Sequence, residues 1–438
     1  MRGMKSTLAL LVILIGVVAY IYFVDSKQPV NDAEAKDKAF TGVNADDVEE
    51  MQVKSSEGET SRLQKIDGKW QLVEPLKVEA DNTEASNIAS SLAAIDIQRV
   101  VEENASNLKE YGLDPARVEV GFRVKGKTDL QRIALGEKTP TGGDLYAQLP
   151  GSKRVFLVNS FLDSTFNKNT FALRDKKVLA FERANVESLE LTNPDKMLQF
   201  AKKGSDWVIV KPVAARADFG AVEGALERIA SVQMQSITAE SGDDLRKYGL
   251  DKPSATINVG LGATKATLTL GKTENAVVYA KDAARPMIFT VAPTLTSDVF
   301  KDASEYRRKE LFDSRSFTMD KVTFVRGGET VTLEKSKAKD GKETWKNGAG
   351  KDVDAAKVDD LLSKLGSLRA STFQATADAA LKSPALTVNS QFDSNRMETV
   401  TFARAGAAVV AGRGDEPGSA TVESMAFDDV IKGIDAVK

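Results

Sequence analysis

Two periodicities alternate along the chain, and the alternation occurs three times. Apolar and polar residues first take turns one for one in Val48 to Lys54, Ser61 to Ile66 and Trp70 to Val73. Apolar residues then recur at helical spacing in Ile88, Leu92 and Ile95. A period of two sends successive side chains to opposite faces of a strand, whereas the second spacing lines one face of a helix. The two-residue period resumes in Ile97 to Val101, Val118 to Val124, Gln131 to Leu135, Asp144 to Gln148 and Val155 to Val158, each rich in β-branched residues and bounded by turn formers. A short helix from Ser160 closes the unit. Leu226, Ile229 and Val232, then Leu361, Leu365 and Leu368, repeat the helical stripe. The pattern predicts an α+β protein of three repeated modules, each an antiparallel sheet packed on one main helix.

Fixed points recur at the same places. Trp70, Trp207 and Trp345 are the three tryptophans of the protein and mark one strand position used three times. Asp81, Asp218 and Asp354 precede the helical stripes, where a carboxylate accepts a hydrogen bond from an otherwise unpaired backbone N–H. Glu84, three residues after Asp81, suggests a capping box. Leu108-Lys109-Glu110-Tyr111-Gly112-Leu113-Asp114-Pro115 returns as Leu245-Arg246-Lys247-Tyr248-Gly249-Leu250-Asp251, displaced by 137 positions, from 108 to 245. That spacing far exceeds solenoid periods and implies duplication of a whole module. Gly112 and Gly249 permit a left-handed turn and the tyrosine rings pack in a core, so these pairs and the tryptophans are structural positions. The third counterpart is only Leu381-Lys382-Ser383-Pro384.

Module limits follow from where the patterns restart: 40–177, 178–314 and a divergent third module, 315–438. Before them, Thr7 to Val24 is an uncharged apolar run ending in Tyr20, Tyr22 and Phe23, long enough to span a bilayer. Residues 1–24 are therefore expected to be an uncleaved membrane anchor, and 25–39 a flexible stalk. Arg2 and Lys5 on the short side place the N-terminus in the cytoplasm and the modules outside it. The expected location is a bacterial inner membrane, crossed once, with the bulk periplasmic.

Composition narrows the chemistry. The 438 residues, 42% hydrophobic and 28% charged, describe a folded chain, and a net charge of −3 gives no attraction to nucleic acid. There is no cysteine and no histidine, so disulfides, thiolate nucleophiles, imidazole ligands and the Ser-His-Asp triad are excluded. No cofactor and no metal site is expected, and the chain is read as non-enzymatic. Gly271-Lys272-Thr273 lacks the glycine a phosphate loop needs five positions earlier, where Ala266 stands. With Leu135-Gly136-Glu137-Lys138-Thr139 it reads as a pair of strand-end turns. Glu49-Glu50, Glu102-Glu103 and Asp243-Asp244 are adjacent acids whose side chains diverge.

The anchor, the Lys-Trp strand, the Tyr-Gly-Leu-Asp-Pro turn, Leu-Gly-Glu-Lys-Thr-Pro-Thr-Gly-Gly before Tyr146, and Leu173-Arg174-Asp175-Lys176-Lys177-Val178-Leu179 together resemble the bacterial domain-of-unknown-function family numbered 4340. The resemblance covers residues 5 to about 310 well and the third module poorly. Members are commonly encoded beside an ABC ATPase, its permease and a subunit similar to gliding-motility auxiliary proteins, which implies an envelope complex and offers no catalytic residues. The expected function is a membrane-anchored extracytoplasmic subunit, an interaction or scaffold component of an ABC-transporter-like complex, with the permease or the gliding-motility-type subunit as partner. The alternatives are a ligand-binding module for envelope glycan or lipid and, further off, a carboxylate-based glycan hydrolase.

Overall fold

The computed structural model describes residues 37–438 except 243, 338–342 and 394. The expected anchor, 1–24, and most of the expected stalk lie outside these residues. Among the described residues no helix is long and apolar enough to cross a membrane.

Three nine-stranded antiparallel sheets account for the architecture. In the first, the strands are β1 (Val48–Lys54), β2 (Thr60–Ile66), β3 (Lys69–Glu74), β4 (Val78–Glu79), β5 (Arg99–Glu102), β6 (Val118–Val124), β7 (Gln131–Lys138), β8 (Asp144–Gln148) and β9 (Val155–Asn159). Their spatial order is 4-3-2-1-6-7-8-9-5. Two meanders therefore meet where β1 pairs with β6, and the chain passes from one edge strand through the helix Asn82–Ala93 to the opposite edge. The second sheet, between Ser188 and Val291, and the third, between Met319 and Val422, repeat this order strand for strand. The expected strands of the first module are all present. The two-residue edge strand β4 is an addition.

The helix-side face of each sheet is buried because most strands alternate apolar and polar residues, while residues 155–158 of β9 are buried on both faces, Val155 joining Ala134 and Leu113 in a small second cluster. In the first module Met51, Val53, Leu63, Leu72, Val120 and Phe122 meet Ile88 and Leu92 of the helix in a single core. Burying each such side chain contributes about 1.5–3 kcal/mol. The aspartates cap as expected. Asp81 accepts from the N–H groups of Thr83 and Glu84, Asp218 from Ala221, and Asp354 from Ala356. The capping box at Asp81 does not form. The Asp81 N–H donates to Leu173 O at 2.9 Å, and Glu84 pairs with Lys168 at 2.9 Å.

The first two modules close with two short helices each, Phe161–Phe166 and Thr170–Leu173, then Thr294–Val299 and Ala303–Tyr306. The third departs from this plan. Its closing helix, Ser424–Ala436, is as long as the main helix Ala355–Gly366 and lies against it, so closely that a Cβ on Gly433 would stand 3.0 Å from Leu361 Cδ1.

Linkers enter and leave the modules by a repeated device. Isolated backbone bridges join Lys38 to Asp96, Lys177 to Gln233 and Glu310 to Arg369, just beyond each main helix. Ala80 bridges to Arg174 and Ala217 to Arg307, just before a capping aspartate. Asp37 to Ala39, the last residues of the expected stalk, are thus fastened to the first module, with Ile97 N–H donating to Asp37 O at 2.7 Å. The chain divides into two compact units, one ending at Lys176 and the other running from Lys177 to Lys438. The second and third modules share the latter.

Candidate functional site

Each repeated residue has a structural partner. Trp70, Trp207 and Trp345 are buried, and each ring lies under a lysine of the neighbouring strand: Lys65 at 5.8 Å, Lys202 at 5.3 Å and Lys335 at 5.4 Å from the centroid. Trp207 also donates through Nε1 to Glu223 at 2.8 Å. Tyr111 packs its ring 4.9 Å from Tyr146 and donates to Glu102 at 3.0 Å, while Tyr248 lies 5.0 Å from Tyr279. Gly112 and Gly249 adopt φ of 67° and 69°, the left-handed turn expected of them.

What these turns rest on was not expected. Gly136-Glu137 and Gly271-Lys272 are not strand-end turns; they form bulges inside long strands, where the register shifts between Leu135 and Lys138 and between Leu270 and Thr273. A bulge displaces one residue from the ladder and bends the strand, and here it makes room for the tyrosine turn. A Cβ on Gly136 would fall 1.9 Å from Tyr111 O, and one on Gly271 would fall 2.2 Å from Tyr248 O. The third module lacks both halves of this pair. Ser383 ends its turn at φ −132°, and Ala403, which the register places where Gly136 stands, belongs to a ladder with no shift.

The main concentration of charge lies elsewhere, at the joint between the second and third modules. Arg216 reaches Glu416 at 2.6 Å through Nε and Asp313 at 2.7 Å through Nη1, and donates to Glu310 O at 2.8 Å. Arg307 meets the other Glu416 oxygen at 2.7 Å and Arg308 meets Asp313 at 2.8 Å. Deeper in, Arg413 pairs with Glu398 at 2.9 Å and makes a two-pronged contact with Asp415 at 2.8 and 2.9 Å. Glu398, whose side chain is 2% exposed, accepts in addition from the N–H groups of Asp313 and Ser314 and from the Ser390 hydroxyl. Charges out of water are tolerable only when matched and hydrogen-bonded in this way.

One carbonyl in the segment leading into the sheet of each of these two modules is held by an arginine from the corresponding hairpin. Arg285 donates to Val178 O and Arg413 to Leu311 O, both at 2.6 Å. Arg154 occupies the corresponding hairpin of the first module, with Asp37 at 4.0 Å. Sequence reasoning missed these arginines, since their common role lies in a contact and they stand at different places along the hairpin.

Burial pushes the Glu416 carboxyl up, but the Arg216 charge and the hydrogen bonds from Arg216 and Arg307 outweigh it and hold the group below its ordinary value. Asp313 and Glu398 are lowered against the same burial cost, Asp313 by Arg216, Arg308 and Arg413, and Glu398 by the Asp313 N–H, Ser314 and Arg413. A carboxylate whose folded value is depressed adds stability that is complete above its unfolded value, near 4 for Asp and Glu, and that disappears as pH falls through the folded value. With no histidine or cysteine in the chain, no ordinary side chain titrates between about pH 5 and 8. The expected result is a melting temperature nearly flat across that range and falling below about pH 4. The deficit of Glu416→Gln relative to wild type should shrink on acidification. Thermal melts of both proteins from neutral pH to about pH 3 check this, and parallel curves would contradict it.

Beside the joint opens a cleft of about 580 Å³, whose lining includes Lys203, Asp206, Phe219, Arg308, Arg315 and Arg396. A shallower depression of about 1070 Å³ is lined by Glu182, by 184–188 and by Gly262, and no arginine lines it. Among the described residues no group of three or more Asp, Glu, His or Cys is placed to hold a metal ion.

Fold and joint define a tandem-repeat protein of three antiparallel nine-stranded sheets, two of them tied by buried ion pairs. The chain belongs to the family described as Domain of unknown function (DUF4340), whose model matches residues 70–206 and 207–385. The two matches begin at Trp70 and Trp207, the same 137-residue displacement that separates the tyrosine turns. No curated protein matches the chain. Among solved structures, a DNA polymerase sliding clamp from Pseudomonas aeruginosa with ligand aligns over 88% of this chain and 93% of its own at 9% identity, with a TM-score of 0.15, too low to bear on the fold.

Proposed function

We propose that this protein is a non-enzymatic, membrane-anchored extracytoplasmic subunit that serves as an interaction or scaffold component of an ABC-transporter-like envelope complex. The observation that carries the reading is the joint. Arginines and carboxylates of the second and third modules converge on one another, in a network that fixes two sheets into one body, and a fixed body of repeated modules suits the presentation of a surface. The repeated tryptophans, aspartates and tyrosine turns support it too, since each is occupied in packing or capping. The anchor at 1–24, periplasmic placement and the permease or gliding-motility-type subunit as partner belong to the same proposal. Purification of the tagged protein from gently solubilised membranes should recover a permease and an ATPase with it. Recovery alone, under conditions that preserve known transporter complexes, would overturn the reading.

The cleft beside the joint favours a second reading, an extracytoplasmic module that binds envelope glycan or lipid, because its volume lies within the range of small-molecule sites. A ligand of that kind would raise the melting temperature, and the rise would continue with the logarithm of its concentration above Kd. A scaffold would show no such rise.

A further inference from the structure

The cleft has a chemical character of its own, set by which of its charges are already committed. Arg216 is taken by Glu416 and Asp313, and Arg308 by Asp313. Asp415 takes two hydrogen bonds from Arg413, Asp218 caps its helix, and Glu310 pairs with Arg369 at 2.8 Å. Subtracting these leaves three cations. The Arg315 side chain and the Lys203 ammonium have no ion pair or side-chain hydrogen bond among the described residues, although both line the cleft. Arg396 is 57% exposed and its nearest carboxylate oxygens, on Asp393 and Asp313, stand at 3.6 and 3.8 Å, beyond hydrogen-bond length. Against them stands Asp206, which pairs through its backbone with Lys203 across a tight hairpin.

At the mouth lies Phe219, the first residue of its helix and 54% exposed. Large aromatic rings are usually buried, and a flat ring beside guanidinium groups offers a stacking surface next to hydrogen-bond donors. Guanidinium groups grip carboxylates with two parallel hydrogen bonds. An acyl chain would need an apolar trough, which charged walls do not supply. A polyhydroxylated ring carrying a carboxylate suits all the parts: the anion on Arg315 and Arg396, hydroxyls between Lys203 and Asp206, and the C–H face of the ring on Phe219.

We infer that the cleft beside Arg315, Arg396 and Phe219 is a binding site for an acidic saccharide, one bearing a carboxylate. This rests on the second reading above and narrows it to one ligand class and three residues.

Isothermal titration of the full-length, detergent-solubilised protein tests it, with digalacturonic acid as the probe, lactose as the neutral disaccharide and succinate as the carboxylate without a ring. Digalacturonic acid should bind, and the other two should bind at least about tenfold more weakly. Arg315→Ala with Arg396→Ala should reduce affinity for digalacturonic acid by about tenfold or more while lowering the unliganded melting temperature only slightly, since Arg315 has no side-chain partner among the described residues and Arg396 gives up two long ion pairs and a contact 4.8 Å from the Phe392 ring centroid. Arg315→Lys, which keeps the charge and loses the planar fork, should fall between. Phe219→Ala should weaken digalacturonic acid and leave succinate unaffected. Equal binding of lactose, or binding of digalacturonic acid that survives the double substitution, would overturn the site and leave a glycan-binding role intact. No heat with any of the three at roughly 10 mM would remove both.

Discussion

Replacing Arg413 by alanine should destabilise the body formed by the second and third modules by about 3–5 kcal/mol, the range for removing one partner of a buried ion pair. The loss is that large because of what is left behind. Glu398 would keep its hydrogen bonds from Asp313, Ser314 and Ser390 but lose the cation that pairs with it, at a site almost closed to water. Asp415 would lose both prongs of its contact, and Leu311 O its side-chain donor. Arg413→Lys should recover only part, because an ammonium cannot serve Glu398, Asp415 and Leu311 O together. Arg396→Ala is the internal control, expected within about 1 kcal/mol of wild type because its ion pairs are long and exposed and its remaining contact is the Phe392 ring at 4.8 Å. Urea unfolding followed by the fluorescence of Trp207 and Trp345 provides the measurement. A loss below about 1 kcal/mol for Arg413→Ala would mean that the network is looser in solution than its geometry implies.

Gly136→Ala should cost about 3 kcal/mol, toward the upper end for overpacking. The atom in the way is the Tyr111 carbonyl oxygen, 1.9 Å from the added methyl, and backbone cannot turn aside as a side chain can. Relief would require the tyrosine turn to lift from the bulge, parting Tyr111 from Tyr146 and from Glu102. Gly271→Ala should behave alike through Tyr248 O. In contrast, Gly143→Ala places a methyl where nothing lies within 4 Å and should stay within about 0.5 kcal/mol. Thermal or urea melts of the three variants give the ranking, and equal effects at Gly136 and Gly143 would show that the bulge and the turn are not interlocked.

The strands and main helices were legible because their signals are local. Alternation in Val118 to Val124 reports a sheet with one buried face, and Asp81, Asp218 and Asp354 announce helix starts within four residues of themselves. The bulges were not legible. Gly271-Lys272-Thr273 carries no mark that its backbone must admit Tyr248, a residue on another segment. The joint was hidden for a different reason: Arg216 and Glu416 are separated by 200 positions, and single charged residues ordinarily face water. Arg307 to Glu310 are four consecutive charged residues, and three of them enter the network, Arg307 and Arg308 through their side chains and Glu310 through its carbonyl. The cleft stays silent in the sequence, since being uncommitted is a property that Arg315 and Arg396 acquire only after their neighbours have been matched.

The sheet order bears on how a gene for this family should be cut. Matched limits at 70 and 207 fall on the tryptophan strands, whereas β1 and β2, which lie before Trp70, join the two meanders of the first sheet. A fragment spanning 70–206 would therefore carry β3 and β4 with nothing between them and β6, together with the first strands of a sheet whose remainder lies beyond the cut. The recurring unit of sequence and the unit able to fold are out of phase. Expression of pieces should break the chain at Lys177, where one compact unit ends and the next begins.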